Sequence, residues 1–260
     1  MDRVGIVDQL SGLGISSKLL EDFPELPADA SSLLIYGSQA RGDSVLGSDL
    51  DVIAVVPSQR PTANSGDVSV SFYTKDQLSS GIGSLFGAHL KRDSKIIWDP
   101  SEELSQSIEK MGEVDTARVL NRSLQMSSLF TTPDRDLPKY LPGLLRQARY
   151  LLRSCLYAQA ISEGAPCFSV RELAIRHNDP QLALLLASRQ RVLPSLQDLE
   201  KCLNRLGSLI GNFPPNNHGS LESLLVNEWG KQSDVLSMAF MALGTSGKGS
   251  DYAEVQKILL

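Results

Sequence analysis

Two aspartates, Asp49 and Asp51, lie at the start of an apolar run that extends to Val56. Alternate residues of a β-strand point to the same face, so a strand here projects both carboxylates side by side. Two such charges at the edge of a core repel each other unless one takes up a proton or a cation binds. Carboxylates favour hard ions such as Mg²⁺ or Mn²⁺, and bound magnesium commonly completes its shell with substrate phosphates. The pair therefore indicates a metal site that works with phosphate.

A Gly-Ser pair, Gly37-Ser38, follows a short apolar run upstream of the aspartates. Glycine at such a position lets the backbone approach a phosphate, to which the adjacent N–H groups can donate. The Ser38 hydroxyl adds a donor, and Arg41 can add a positive charge. One loop can thus hold a triphosphate while the next strand holds its metal. A Gly-Ser after a strand is by itself typical of an ordinary turn, and only the ordered combination is specific.

The elements that would position these residues form a mixed α/β unit. Apolar and alternating runs predict strands at 31–36, 49–56, 68–73 and 94–98, with a helical lead-in over 1–30 and a helix over 77–90. Apolar residues at helical spacing predict further helices at 114–130, 141–161, 170–188, 196–210 and 221–242. The fold class is therefore α+β. We expect a small mixed-sheet domain over 1–105, an all-α bundle over 106–243, and a flexible tail over 244–260.

Composition excludes several classes of protein. The net charge of −5 argues against a general nucleic-acid coating protein, although it leaves room for a narrow basic channel. No apolar run approaches the ~20 residues that cross a bilayer, and the N-terminus leads into no signal-peptide core. The three cysteines and three histidines are scattered, which favours reduced, buried thiols and no zinc site. We expect a cytoplasmic protein.

The ordered pattern resembles the DNA polymerase β-type nucleotidyltransferase superfamily, in particular its minimal bacterial members. The residues that carry the resemblance are Tyr36-Gly37-Ser38, Arg41-Gly42-Asp43 and Ser48-Asp49-Leu50-Asp51-Val52, which match the signature in order and spacing. The resemblance covers roughly residues 31–100.

The resemblance implies transfer of a nucleoside monophosphate from a triphosphate to a hydroxyl. Asp49 and Asp51 would hold two Mg²⁺ or Mn²⁺ ions: one activates the hydroxyl, and the other holds the triphosphate and stabilises the departing pyrophosphate. The signature adds Ser48 to the nucleotide-binding set of Gly37, Ser38 and Arg41.

The resemblance also implies a third carboxylate on a neighbouring strand. The apolar pattern places Ser69 where an aspartate is expected, and Asp67 lies two residues earlier. Asp67 is thus either a catalytic metal ligand or only a turn residue after Gly66.

Basic residues outside the signature give two further candidates for nucleotide binding. Lys91 follows a predicted helix together with Arg92, and Arg149 shares a predicted helix face with Arg146 and Arg153. Each group is either a solvated surface or a contact to triphosphate or a nucleic-acid backbone.

The tail carries Tyr252 after a Gly/Ser-rich linker, and the linker is long enough to bring this tyrosine to an active site. Tyr252 is either an acceptor for a nucleotidyl group or an anchor for a terminal helix. With the domain order, it resembles the Hailong-type nucleotidyltransferases of bacterial anti-phage defence. That resemblance implies synthesis of single-stranded deoxyadenylate oligomers from dATP, started on Tyr252. It also implies that the oligomers restrain a membrane effector.

Several interpretations stay open. The substrate would be a (d)NTP, with dATP or ATP favoured, and the tail could act in its own chain or in a homodimer. The alternatives are AMP transfer to a partner protein or a small molecule such as an antibiotic, and a non-catalytic nucleotide-binding regulatory module.

Overall fold

A computed structural model of the chain describes residues 3–45, 48–131, 136–186, 193–231 and 233–244. The chain separates into two compact units, the first ending at Val114 and the second beginning at Asp115. They are called unit 1 and unit 2 and are described separately. The predicted domain limits at residues 105 and 243 stay a prediction.

Unit 1 is built on a mixed five-stranded sheet of order β3-β4-β2-β1-β5. β2 and β4 are parallel, and the other neighbours are antiparallel. The strands are β1 (Ser32–Tyr36), β2 (Leu50–Val55), β3 (Ala63–Ser65), β4 (Val68–Tyr73) and β5 (Lys95–Trp98). Four of them were predicted, and β3 was missed. With the helices of both units, this sheet confirms the α+β fold class.

Alternating side chains of the sheet enter two separate cores. Leu50 and Val52 of β2 pack with Leu19 and other residues of the N-terminal helices on one face. Ile53 and Val55 pack on the other face, with Leu90 and neighbouring helical residues. Asp51 shares this second face by the strand alternation. A strand that is apolar on both sides is thus buried on both sides, as its composition predicts.

The described residues of unit 1 also form six helices. They are α1 (Arg3–Gly12), α2 (Ser17–Glu21), α3 (Gly37–Arg41), α4 (Lys75–Ser79), α5 (Leu85–Asp93) and α6 (Glu103–Glu109). The single helix predicted over 77–90 is wrong, because α4 and α5 are separate. Thr74 and Gln77 form a capping box at the start of α4, and the Ser84 side chain accepts from the Gly87 N–H at the start of α5.

All regular secondary structure in the described part of unit 2 is helical. Its α-helices are α7 (Thr116–Met126), α8 (Asp136–Ser162), α9 (Val170–Arg176), α10 (Pro180–Leu186), α11 (Leu196–Ile210), α12 (Leu221–Glu228) and α13 (Asp234–Leu243), and a 3₁₀ turn, Ser127–Phe130, follows α7. The predictions of unbroken helices over 170–188 and 221–242 are wrong. The first is broken where Asn178 takes a positive φ of 48° before Pro180, and the second at Gly230 with a φ of 81°.

The helices of these described ranges include none long and apolar enough to cross a membrane. All three cysteines are buried, as the sequence predicts, and none forms a disulfide within the described residues. Cys155 and Cys202 lie in helices of unit 2. Burial raises the pKa of each of these two thiols to about 11, which keeps them protonated at neutral pH.

Candidate nucleotide-binding site

The antiparallel pairing of β1 with β2 brings the Gly-Ser turn beside the aspartates. Tyr36, the last residue of β1, pairs with Asp51, and α3 begins directly afterwards at Gly37. A Cβ atom placed on Gly37 would lie 3.0 Å from Asp51 Oδ2, and Gly37 has a φ of +78°. Only glycine adopts this conformation without strain and leaves room for the carboxylate. Asp49 immediately precedes β2, so both aspartates lie at the strand end that faces the turn.

Ser48, which lies shortly before β2, is held by hydrogen bonds to Gln39 and Val45. Gln39 Nε2 donates to the Ser48 carbonyl at 3.1 Å. The Ser48 hydroxyl accepts from the Val45 N–H at 2.9 Å, and the Ser48 N–H donates back to the Val45 carbonyl at 2.8 Å. These bonds fix the position of Ser48 directly before Asp49. Its role in nucleotide binding stays a prediction.

Tyr36 gives Asp51 a largely apolar neighbour. Its ring meets Phe86 edge-on at 6.2 Å and His89 at 5.7 Å between ring centroids. Burial first, and then the charge of Asp51, raise the pKa of Tyr36 far above its usual value. The Tyr36 hydroxyl is therefore neutral at any ordinary pH, and it adds no charge to the site.

Ser69 lies directly opposite Asp51 on the parallel neighbour β4, and Asp67 lies just before that strand. The Leu50 N–H donates to the Asp67 carbonyl at 2.8 Å, so the Asp67 backbone is next to the start of β2. Its carboxylate, however, forms an ion pair with Lys18 of α2, with Oδ2 and Nζ 2.8 Å apart. α2 packs on the face of the sheet opposite to that of Asp51.

Within the described ranges, no group of three or more Asp, Glu, His or Cys side chains is arranged to hold a metal. Asp49 and Asp51 both lie at the start of β2, and the Asp67 carboxylate pairs with Lys18. The use of Asp67 as third ligand stays a prediction. Two carboxylates at a glycine turn fit one magnesium ion that takes its remaining ligands from phosphate and water. The described residues provide fewer carboxylate ligands for a second metal ion than for the first.

Arg41 ends α3 and contacts α5 and the following loop. Its Nη1 donates to Asp93 Oδ2 at 3.1 Å, and its Nε donates to Asp43 Oδ1 at 3.2 Å. Burial raises the pKa of Asp93, while Arg41 and Arg92 act in the opposite direction. The structure therefore places Arg41 in an ion pair inside unit 1, and its binding of triphosphate stays a prediction.

The two other basic candidates are also engaged with the protein. Lys91 Nζ donates to the Glu109 carbonyl at 2.7 Å, and its side chain packs on Gly112. Arg149, in unit 2, donates to the Leu185 carbonyl at 2.7 Å and lies 3.8 Å from Asp198. These contacts account for both side chains, and their binding to nucleotide stays a prediction. Tyr252 lies outside the described residues.

Reasoning from the sequence missed three residues around the site. Lys18 pairs with Asp67, and Asp93 and His89 meet Arg41. No local pattern marks them, because each contact joins residues about 50 positions apart that only the folded sheet brings together.

Comparisons with known proteins add little to this geometry. No protein-family model matches the sequence, and no curated protein matches it either. Among solved structures, the chain is similar to a nucleotidyltransferase-like protein from Exiguobacterium sibiricum. The two share 16% sequence identity with a TM-score of 0.30, over 70% of this chain and 69% of that chain. A similarity this low supports no conclusion about function or about individual residues.

Proposed function

We propose that unit 1 binds a nucleoside triphosphate with Mg²⁺ or Mn²⁺ and transfers its nucleoside monophosphate to a hydroxyl, releasing pyrophosphate. The observation that carries this proposal is the approach of Asp51 to the backbone of Gly37, where a Cβ would be 3.0 Å from the carboxylate. A metal ligand and a phosphate-binding turn must be adjacent for one metal–triphosphate complex to reach both.

The residues have separate roles in the proposed reaction. The acceptor hydroxyl oxygen bonds to the α-phosphorus, and the bond from the α-phosphorus to its bridging oxygen breaks. Pyrophosphate leaves with the electron pair, and the hydroxyl proton passes to water or a base. Backbone N–H groups at Gly37 and Ser38 would hold the phosphates in line for this displacement. Asp49 and Asp51 would hold magnesium, which neutralises phosphate charge when bound.

The test is label transfer from each of the eight common (d)NTPs in the presence of Mg²⁺ or Mn²⁺. The proposal predicts pyrophosphate release by the wild type and its loss in Asp49→Asn and Asp51→Asn, which keep side-chain shape and remove the charge. Asp29→Asn is the matched control, because Asp29 is an exposed aspartate of unit 1 that pairs with Arg60. Full turnover in Asp51→Asn would refute the site.

The finer version of the proposal is template-independent synthesis of single-stranded oligonucleotides, primed on Tyr252, with dATP or ATP as substrate. Its support is the tail tyrosine after a Gly/Ser-rich linker. In a defence setting the product would act on a membrane effector. Separating the labelled products by size tests this version: a ladder attached to the protein is expected, and Tyr252→Phe should remove it. A ladder that Tyr252→Phe leaves unchanged would exclude the priming role, and a labelled partner protein or small molecule without a ladder would favour AMP transfer.

A second candidate function is a nucleotide-binding regulatory module without catalysis. The observation that favours it is Ser69, which lies opposite Asp51, while Asp67 pairs with Lys18. Such a site lacks the third carboxylate that the resemblance implies, and the ion that activates the hydroxyl would be weakly held. Tight triphosphate binding with no pyrophosphate release from any nucleotide would establish this candidate over the enzyme.

A further inference from the structure

Arg41 is directed into unit 1 by three polar contacts. Its Nη1 lies 3.1 Å from Asp93 Oδ2 and 3.3 Å from His89 Nε2, and its Nε lies 3.2 Å from Asp43 Oδ1. A guanidinium group only donates hydrogen bonds, so His89 accepts from Arg41 only in the neutral tautomer that carries its hydrogen on Nδ1. His89 Nε2 also lies 3.4 Å from Asp93 Oδ2. The fork of Arg41 thus bridges the end of α3, the end of α5 and the loop after α3.

The central contact of this group is shielded from solvent. The Asp93 side chain is 4% exposed and the Arg41 side chain 17% exposed. Arg92 approaches the other Asp93 oxygen only at 3.7 Å and is more exposed. A buried carboxylate is stable only with its cation in place, because removing one partner leaves an uncompensated charge. Asp93 therefore fixes the position of Arg41 firmly.

α3 depends on such anchors. It has only five residues, no side-chain hydrogen bond at its N-cap Tyr36, and a left-handed Gly42 at its end. A helix this short is not stable by itself in water. Two of its side chains tie it to the rest of unit 1: Gln39 reaches the Ser48 carbonyl, and Arg41 reaches Asp93 on another helix. Gly37 and Ser38 are in the same helical turn as Arg41.

We propose that Arg41 is a positioning residue: through Asp93 it holds Gly37 and Ser38 in the orientation that receives the triphosphate, and it does not itself bind the phosphates. This inference rests on the proposed function and refines it. An arginine that served as a phosphate ligand would need its guanidinium directed at the substrate. Here Nε and Nη1 point to acceptors of the protein, and the main partner is buried.

The test compares Arg41→Met with Asp93→Asn, using triphosphate affinity and amide hydrogen exchange in the nucleotide-free protein. A positioning role predicts that both variants bind (d)ATP about 10- to 100-fold more weakly, the scale on which small misplacements act. It also predicts faster exchange of the backbone amides over 38–42 in both. Arg41→Lys should restore part of the affinity, because lysine keeps the charge without the fork.

A control variant and a double variant complete the test. Arg60→Met removes an arginine that pairs with an exposed aspartate of unit 1, and it should leave affinity and exchange unchanged. Arg41→Met combined with Asp93→Leu replaces the buried pair with apolar groups, which preserves folding if a single variant fails to fold. The double variant should bind no more weakly than Arg41→Met alone, because both substitutions act on the orientation of α3.

The results separate the alternatives. Wild-type affinity in Asp93→Asn with loss in Arg41→Met would make Arg41 a direct phosphate ligand and overturn the inference. Wild-type exchange over 38–42 in Asp93→Asn would overturn it as well. If the wild type binds no triphosphate, the proposed function is wrong. The exchange rates would still decide whether the Arg41–Asp93 pair holds α3.

Discussion

Replacing Gly37 by alanine tests the contact on which the site depends, and Gly42 supplies its matched control. Gly37 is the first residue of the five-residue helix α3 and Gly42 follows its last residue, and each has a φ of +78°. A Cβ on Gly37 would meet Asp51 Oδ2 at 3.0 Å, whereas a Cβ on Gly42 would meet no atom within 4 Å. The two variants therefore share backbone strain and differ in the contact with the carboxylate.

The expected losses of stability and of affinity follow from the backbone strain and from the contact with Asp51. A left-handed conformation costs a residue with a Cβ about 1–2 kcal/mol, so both variants should lose about this much free energy of unfolding. Only Gly37→Ala also displaces the Asp51 carboxylate, by a few tenths of an ångström. We expect triphosphate affinity to fall about tenfold in Gly37→Ala, equivalent to about 1.4 kcal/mol, and to change little in Gly42→Ala.

The assays are urea denaturation for stability and titration of Mg²⁺–(d)ATP for affinity. Similar losses of stability with a selective loss of affinity in Gly37→Ala would support the site. Equal affinities in the two alanine variants would show that Asp51 and the Gly37 turn do not bind the ligand together. That result would refute the reasoning even if both variants were destabilised as expected.

Three further predictions concern the carboxylates of both units. Ser69→Asp places a third carboxylate opposite Asp51, and we expect tighter Mn²⁺ binding and faster pyrophosphate release; unchanged Mn²⁺ affinity would contradict this. Asp99 accepts from two backbone N–H groups at the start of α6, so Asp99→Ala should lower the free energy of unfolding by about 1–2 kcal/mol, measured with urea. Hydrogen bonds, first from Lys139, lower the pKa of Glu222 from 4.5 to about 2. This contribution to stability is present above pH 4.5 and is lost as the pH falls towards 2. Lys139→Met should weaken that pH dependence in urea melts, and identical pH profiles would refute the assignment.

Most of the sheet could be predicted because its strands carry either continuous apolar runs or an alternating pattern. β1 and β2 stand out as continuous apolar runs, and β4 stands out by its alternation. β3 could not be predicted, since Ala63–Ser65 has no apolar pattern and exists through its pairing with β4. The helix breaks were visible in part: Pro180 marks the start of α10, but the positive φ of Asn178 depends on the surrounding fold.

The site was predictable as a set of residue types, while its contacts were not. The spacing of Gly37 and Asp51 indicates that they belong to one binding site. Their close contact, however, depends on the strand register that pairs Tyr36 with Asp51. For Asp67, strand alternation does not predict the direction of the side chain, because its carboxylate forms an ion pair with Lys18 of α2. Such tertiary contacts leave no local pattern in the sequence.

The most direct test of the account measures, by electron paramagnetic resonance, the binding of Mn²⁺ together with a non-hydrolysable (d)ATP analogue. The account predicts that the wild type and Asp29→Asn bind the metal–nucleotide complex, and that Asp51→Asn loses this binding while it stays folded. Equal binding of the complex by wild type and Asp51→Asn would contradict the claim that Asp51 and the Gly37 turn form one nucleotide-binding site.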